Sequence, residues 1–230
     1  MNTRTLKHVM LTCLVAWAAS LPLPLTADSA EDVLASEFET WFKQKVHENN
    51  VTGAALVVAR PDRIIRIGTA GHTDTKRNQL INENTVFRVA SVSKTFAAGL
   101  TGILVSEGAF GWDDQVTAYV PDFKLKGDAR RVRIRHLLGQ STGLIPHAYD
   151  NLIEDGLDMN RTQPQFRKLD YLCAPGSCYS YQNSVFSLIE PVMEVTTEQS
   201  YAELMNHRIF EPLDMRDSSV GYKALVNNPN

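Results

Sequence analysis

The succession of periodicities along this chain predicts a mixed α/β chain: a helix, two strands that form a hairpin at the beginning of an antiparallel sheet, then a long, mostly helical block. Three observations predict it. An amphipathic helical pattern opens the segment after residue 31, two β-branched-rich runs joined by a two-residue turn follow, and from Ser91 onward apolar residues recur at three and four. With 230 residues, 43% of them hydrophobic, there is material for the core of one large domain or two small ones. The organisation expected is a leader over 1–27, a first part of the α/β domain over 28–90, a mostly helical domain over 91–200 and a return segment over 201–230.

Residues 1–27 follow the three-part grammar of a secretory signal: Arg4 and Lys7, an apolar run from Val9 to about Leu21, then small and turn residues through Pro22, Pro24 and Ala27. The run is too short, and too soon broken by proline, for a good membrane span. Cleavage is expected after Ala27, with Ala30 the second choice, giving a periplasmic or secreted product with no stable membrane span. Cys13 follows Thr12, where a lipid-attachment box wants a small residue such as Gly or Ala, so it is expected to leave with the signal.

Cleavage would remove Arg4 and Lys7 and no acid, taking the formal net charge from −3 to −5. That balance argues against nucleic acid as a partner. The run Arg130-Arg131-Val132-Arg133-Ile134-Arg135 is locally cationic, but its alternation is that of a solvated face beside a buried one. Cys173 and Cys178 bracket Ala-Pro-Gly-Ser, and in an exported protein they are expected to form a disulfide worth roughly 2 kcal/mol in the chain-entropy model. His136, His147 and His207 fall at no ligand spacing, so no metal is expected.

Between Asp32 and about Asn49, Val33, Leu34, Phe38, Trp41, Phe42 and Val46 form a helical stripe expected to pack as core. Gly53–Arg60 and Arg63–Gly68, joined by Pro61-Asp62, have the composition of a β-hairpin. A helix from Ser91 carries Phe96, Leu100, Ile103 and Leu104 inward and ends at Gly108 and Gly111. Further helices are expected near Arg131–Leu138, over Ser184–Val195 with a kink or break at Pro191, and around Ser200–Phe210. Two strands do not make an independently stable sheet with both faces covered. The chain is therefore expected to be a truncation product, a fragment or the product of an incomplete gene, its tail Asn227-Asn228-Pro229-Asn230 an arbitrary stop in a loop.

Chemistry concentrates in two places. Ser91 and Lys94 lie three apart at the start of a helical run, and i and i+3 share a helix face, which sets an amine beside a hydroxyl nucleophile. Ser91 is the only serine followed by lysine at that spacing. The structural alternative is an N-capping serine with an exposed lysine one turn on. The second place is Pro175-Gly176-Ser177-Cys178-Tyr179-Ser180-Tyr181-Gln182-Asn183, a turn leading into a helix and aiming Tyr181 and Asn183 at a cleft. Its alternative is a packed tyrosine and an asparagine N-cap.

Taken in order, Phe87-Arg88-Val89-Ala90-Ser91-Val92-Ser93-Lys94-Thr95, His136-Leu137-Leu138-Gly139-Gln140-Ser141-Thr142-Gly143-Leu144, Pro175-Gly176 with Tyr181-Gln182-Asn183, and Pro212-Leu213-Asp214-Met215 resemble the serine β-lactamase and penicillin-binding-protein family on its class C side. The match covers roughly residues 50–220. The resemblance implies a β-lactamase-like two-domain fold, here lacking the C-terminal part of the sheet. It implies Ser91 as the acylated nucleophile, Lys94 and Tyr181 as the proton-transfer pair, and Asn183 as a hydrogen-bond partner of the substrate amide. A neutral amine can take a serine proton, and a nearby positive charge lowers a tyrosine's pKa, so either of the pair can serve as base, and the two titrate as one unit.

Three decoys sit nearby. Gly139-Gln140-Ser141-Thr142-Gly143 matches G-x-S-x-G, but that motif needs a strand before it, and His136-Leu137-Leu138 closes a helical stretch. Tyr149-Asp150-Asn151 repeats Tyr-x-Asn in an acidic loop without the Pro-Gly turn, and stays as the alternative to Tyr181 and Asn183. His136, following arginines, is expected to be structural and not the base of a triad.

One family feature is missing. The third motif, Lys-Thr-Gly or a variant such as His-x-Gly on a strand facing the nucleophile, has no counterpart between Asn183 and Asn230. In the family that strand supplies one oxyanion-hole amide, the other being that of the nucleophile, and loss of one such donor costs on the order of 10²–10³ in rate. The expectation is an exported serine hydrolase of the class C β-lactamase type, acting through acyl-Ser91 on a β-lactam or D-amino-acid peptide, with little turnover as it stands. A non-catalytic binder of β-lactams or cell-wall peptide and a β-lactamase-like carboxylesterase are the alternatives. The partner expected is a small β-lactam or peptidoglycan-peptide substrate, with no cofactor, and the chain is expected to be a monomer.

Overall fold

The computed structural model describes residues 29–76 and 78–228. The signal expected over 1–27, with its Cys13, lies outside them. The chain forms two compact units, one up to Thr85 and one from Val86.

In the first unit, helix α1 (Ala30–Glu48) starts at Ser29. The Ser29 hydroxyl accepts from the Asp32 amide at 3.1 Å, and the Asp32 carboxylate accepts from the Ser29 amide at 3.3 Å. This reciprocal box satisfies two donors that the first turn otherwise orphans. Strands β1 (Gly53–Arg60) and β2 (Arg63–Gly71) pair antiparallel through Pro61-Asp62, with Val57 opposite Ile67 and a bulge between Val58 and Ala59. Among the described residues, this ribbon is the only sheet.

The stripe expected to bury α1 has to be redrawn. Ala35 and Val46 are buried and Phe42 is half-buried, whereas Val33, Leu34, Phe38 and Trp41 are exposed, Leu34 at 66%. The helix packs against the hairpin along a line through Ala35, Glu39, Phe42 and Val46, spaced at four, three and four. Glu39 on that line pairs with Arg66 of β2 at 3.7 Å. A two-stranded ribbon covers one helix stripe, and the neighbouring apolar stripe stays in water. Phe38 and Trp41 stack on each other there, ring centroids 5.4 Å apart.

The second unit is helical. After a 3₁₀ turn at Ala90–Val92 come α2 (Ser93–Ser106), α3 (Val116–Tyr119), α4 (Ile134–Leu138), α5 (Asp150–Glu154), α6 (Met159–Thr162), α7 (Ile189–Thr197), α8 (Tyr201–Met205) and α9 (Tyr222–Val226). Helix α2 buries Ala97, Leu100, Thr101 and Leu104 against α7 and α8. The arginine-rich stretch alternates as expected: Val132 and Ile134 are fully buried, and Arg130, Arg131 and Arg135 are exposed. Its α-helix is shorter than the stretch 131–138, because a 3₁₀ turn over Ala129–Arg131 precedes it.

Pro191 does not kink its helix. It stands in the first turn of α7, where a missing N–H leaves no intrahelical bond unmade, and the break falls at the 3₁₀ turn Phe186–Leu188 before it. The segment from residue 201 belongs to this unit: α8, capped by Ser200 and Glu203, continues into a π-helical turn at Asn206–Phe210, and Leu204, Met205 and Phe210 are buried in the core.

Candidate active site

Ser91 stands in the 3₁₀ turn at the entrance to α2, exposed, with Ala90 before it held at φ +46° in the left-handed region that alanine rarely adopts. Ser91 does not cap the helix. The local backbone carbonyls are satisfied by other hydroxyls, Ser93 Oγ donating to Ala90 at 2.6 Å and Thr95 Oγ1 to Val92 at 2.7 Å. That leaves Ser91 Oγ facing side chains. One turn on, Lys94 Nζ donates to it at 3.4 Å, the i to i+3 relation that helix geometry dictates.

Facing it is the loop that carries Tyr181 and Asn183. Tyr181 donates its hydroxyl to Ser91 Oγ at 2.6 Å, and Asn183 Oδ1 accepts from Lys94 Nζ at 2.6 Å. Lys94 Nζ also lies 4.9 Å from the Tyr181 ring centroid and 5.4 Å from that of Phe186, within cation–π range. The four predicted site residues therefore converge on one point.

The loop is held from beneath by the G-x-S-x-G look-alike. Gln140, buried and at φ +51°, accepts from the Gln182 amide at 2.7 Å and donates to the Gln182 carbonyl at 3.1 Å, closing a two-bond clasp. Its own carbonyl accepts from the Ser180 amide at 2.7 Å, and the Ser141 carbonyl accepts from Gly176 at 2.7 Å. Gly143 has φ +80°, and a Cβ there would meet the Cys173 carbonyl oxygen at 2.3 Å, so only glycine fits. Cys173 and Cys178 are joined in a disulfide that closes the turn leading to Tyr181. The look-alike thus acts as a scaffold through its backbone and Gln140.

Electrostatics favour an ionisable phenol. Tyr181 is held below its ordinary value of 10.0, first by the hydrogen bond with Lys94, then by that with Ser91, and by the Lys94 charge, against burial and the repulsive charge of Asp150. His136 takes the structural role expected of it: it is buried, its Nδ1 accepts from the Arg133 amide at 3.2 Å, and burial followed by Arg135 and Arg133 pushes its pKa down. Tyr149 stacks on Phe166, ring centroids 6.2 Å apart, and Asn151 is exposed.

Two participants had no signal of their own in the sequence. Asp150, the middle residue of the second Tyr-x-Asn, accepts from Asn183 Nδ2 at 2.7 Å through Oδ2. His147 Nδ1 lies 2.8 Å from the same oxygen, and its ring sits 5.4 Å from that of Tyr181. The acidic character of the loop 149–151 is the compositional pointer to Asp150, whose carboxylate reaches Asn183 and through it Lys94. Among the described residues, no group of three or more His, Cys, Asp or Glu is placed to hold a metal ion. None of the described helices is long and apolar enough to cross a membrane.

The family model Beta-lactamase matches residues 38–226, somewhat more than the stretch the motifs marked. Esterase EstB of Burkholderia gladioli is 32% identical over 217 residues, spanning 87% of this chain and 55% of that protein. The crystal structure of a class C beta lactamase superposes with TM-score 0.73 at 22% identity, over 87% of this chain and 55% of the other. A D-amino acid amidase from Ochrobactrum anthropi SV3 superposes with TM-score 0.69 at 23% identity, over 81% and 52%. The fold is β-lactamase-like, and the chain spans about half the length of these relatives.

Proposed function

This chain belongs to the beta-lactamase family, and from that premise we propose that it is an exported serine hydrolase whose Ser91 is acylated by a small substrate. The observation that carries the reading is the double engagement of Ser91 Oγ, by Tyr181 at 2.6 Å and by Lys94 at 3.4 Å. A serine hydroxyl is a weak nucleophile until a neighbouring base takes its proton. Tyr181, lowered by Lys94, is that base when ionised: Ser91 Oγ attacks the substrate carbonyl carbon, the proton passes to the phenolate, and the phenol returns it to the leaving group. Lys94 stabilises the phenolate in between. Water then hydrolyses the acyl-Ser91 ester. Export is supported by the signal grammar of residues 1–27.

Carboxylic esters are the substrate class we favour, on the likeness to an esterase at 32% identity. A second reading, β-lactams or D-amino-acid peptides, has an observation of its own. Asn183 Oδ1 and Nδ2 are each engaged once, by Lys94 and Asp150, and each retains a second hydrogen-bonding position for a substrate amide. Covalent labelling reports acylation alone and is the direct test. A fluorophosphonate and a fluorescent penicillin should each be offered to the wild-type chain and to Ser91→Ala. Labelling by the fluorophosphonate that is lost in the variant supports the esterase. A persistent penicillin label points to a penicillin-binding protein and a rapidly released one to a β-lactamase; no Ser91-dependent label with either probe sinks the hydrolase reading in favour of a non-covalent binder.

A further inference from the structure

We propose that Asp150 is a positioning residue that fixes the orientation of the Asn183 amide, so that its oxygen and not its nitrogen meets Lys94. The oxygen and nitrogen ends of an asparagine amide are nearly the same size, and packing alone hardly distinguishes them. An ammonium only donates and an ionised carboxylate only accepts. Set between Lys94 Nζ at 2.6 Å and Asp150 Oδ2 at 2.7 Å, the amide has one satisfied orientation, because the flipped one turns an NH₂ to the ammonium and an oxygen to the carboxylate.

Asp150 is itself firmly placed. Its side chain is 17% exposed, and His147 Nδ1 lies 2.8 Å from the oxygen that receives Asn183. The turn before it, with His147 and Tyr149 at positive φ, is tied to the Tyr181 loop at three points. The His147 amide donates to the Tyr181 carbonyl at 2.9 Å, Ser184 Oγ to the Ala148 carbonyl at 2.5 Å, and Gln182 Nε2 to the Ile145 carbonyl. These bonds tie turn and loop together and hold the carboxylate in register with the amide. Lys94 is in consequence anchored through Asn183 to a firmly placed acceptor, which holds Nζ within reach of both Ser91 and Tyr181.

The kinetic half of this inference rests on the acyl-Ser91 reading, and its spectroscopic half does not. The side-chain amide of Asn183 is observed by ¹H–¹⁵N NMR, identified by its loss in Asn183→Ala, alongside the rate of Ser91 labelling by a fluorophosphonate. Asp150→Ala is expected to remove the exchange protection of that amide and to slow labelling about 10- to 100-fold, with the half-saturating probe concentration unchanged, as loss of a hydrogen bond to a charged group implies. Asp150→Asn, whose carbonyl still accepts from Nδ2, should restore most of both. The reciprocal test exchanges the partners: Asn183→Asp alone should slow labelling, and adding Asp150→Asn should recover it, since the amide introduced at position 150 would then donate to the carboxylate introduced at position 183. An unchanged amide signal in folded Asp150→Ala, or no rescue in the exchanged pair, overturns the proposal. Should Asp150→Ala not fold, the exchanged pair decides. If the wild-type chain is not labelled, the acyl-Ser91 reading fails, and the amide signal alone judges Asp150.

Discussion

Tyr181 and Ser91, ninety positions apart in the chain, meet in a 2.6 Å hydrogen bond. That contact joins the entrance of α2 to a loop which has no regular secondary structure of its own. Its persistence depends on the clasp between Gln140 and Gln182 and on the turn around Gly143.

Removing the hydroxyl at either end of this contact has different expected outcomes. Ser91→Ala should abolish covalent labelling, yet leave thermal stability almost unchanged, since the side chain is exposed. Tyr181→Phe and Lys94→Met should each slow labelling by ~10²–10⁴, the usual range for general acid–base groups. Labelling kinetics alongside circular dichroism measure both.

The pH profile of labelling should report Tyr181. Because its pKa lies below 10.0, the rate is expected to climb as pH rises through that lowered value and then level off. Lys94→Met takes away the main cause of the lowering and should move the rise to higher pH. Asp150→Asn takes away a charge that raises the tyrosine and should move it to lower pH. A profile indifferent to both substitutions would exclude Tyr181 as the titrating base.

Gln140→Ala should destabilise the second unit. It leaves the N–H and C=O of Gln182 without their partner in a buried setting, at about 1–3 kcal/mol for each unsatisfied group. Urea denaturation followed by tryptophan fluorescence would measure the loss, and labelling should slow in parallel as the Tyr181 loop loosens.

Gly143→Ala is expected to be worse tolerated than an ordinary surface change. The new Cβ would sit 2.3 Å from the Cys173 carbonyl at a backbone angle of +80°, so a loss above about 2 kcal/mol is expected. Replacing both Cys173 and Cys178 by serine should cost roughly 2 kcal/mol through the short loop they close. Thermal melts with and without reductant separate the two effects.

Much of this architecture was legible in the residues. The hairpin at Gly53 follows from two β-branched runs and a Pro-Asp turn, and β2 extends only to Gly71, three residues past the expected end. The inward stripe of α2 and the buried Val132 and Ile134 follow from their spacing. The effect of Pro191 is not legible in the residues, because it depends on where the helix starts, and the 3₁₀ turn before Ile189 has no distinct composition. The exposure of the outer stripe of α1 is not legible either, for a different reason. Periodicity identifies which residues share a face, but whether water reaches Leu34 and Trp41 depends on the width of the surface opposite.

The sequence by itself determined that Ser91 and Lys94 would be neighbours, because i and i+3 are adjacent on any helix turn, and it placed Tyr181 and Asn183 just after a turn. What the tertiary structure alone decided is how those pieces are held in register. Asp150, His147 and Gln140 entered the site because loops far apart in the chain were brought together by a buried core, and each then satisfied a donor or acceptor that the others left open. A hydrogen-bond partner of this kind has no period and no propensity. It is specified only when folding has fixed which polar groups are withdrawn from water and what remains within reach of them.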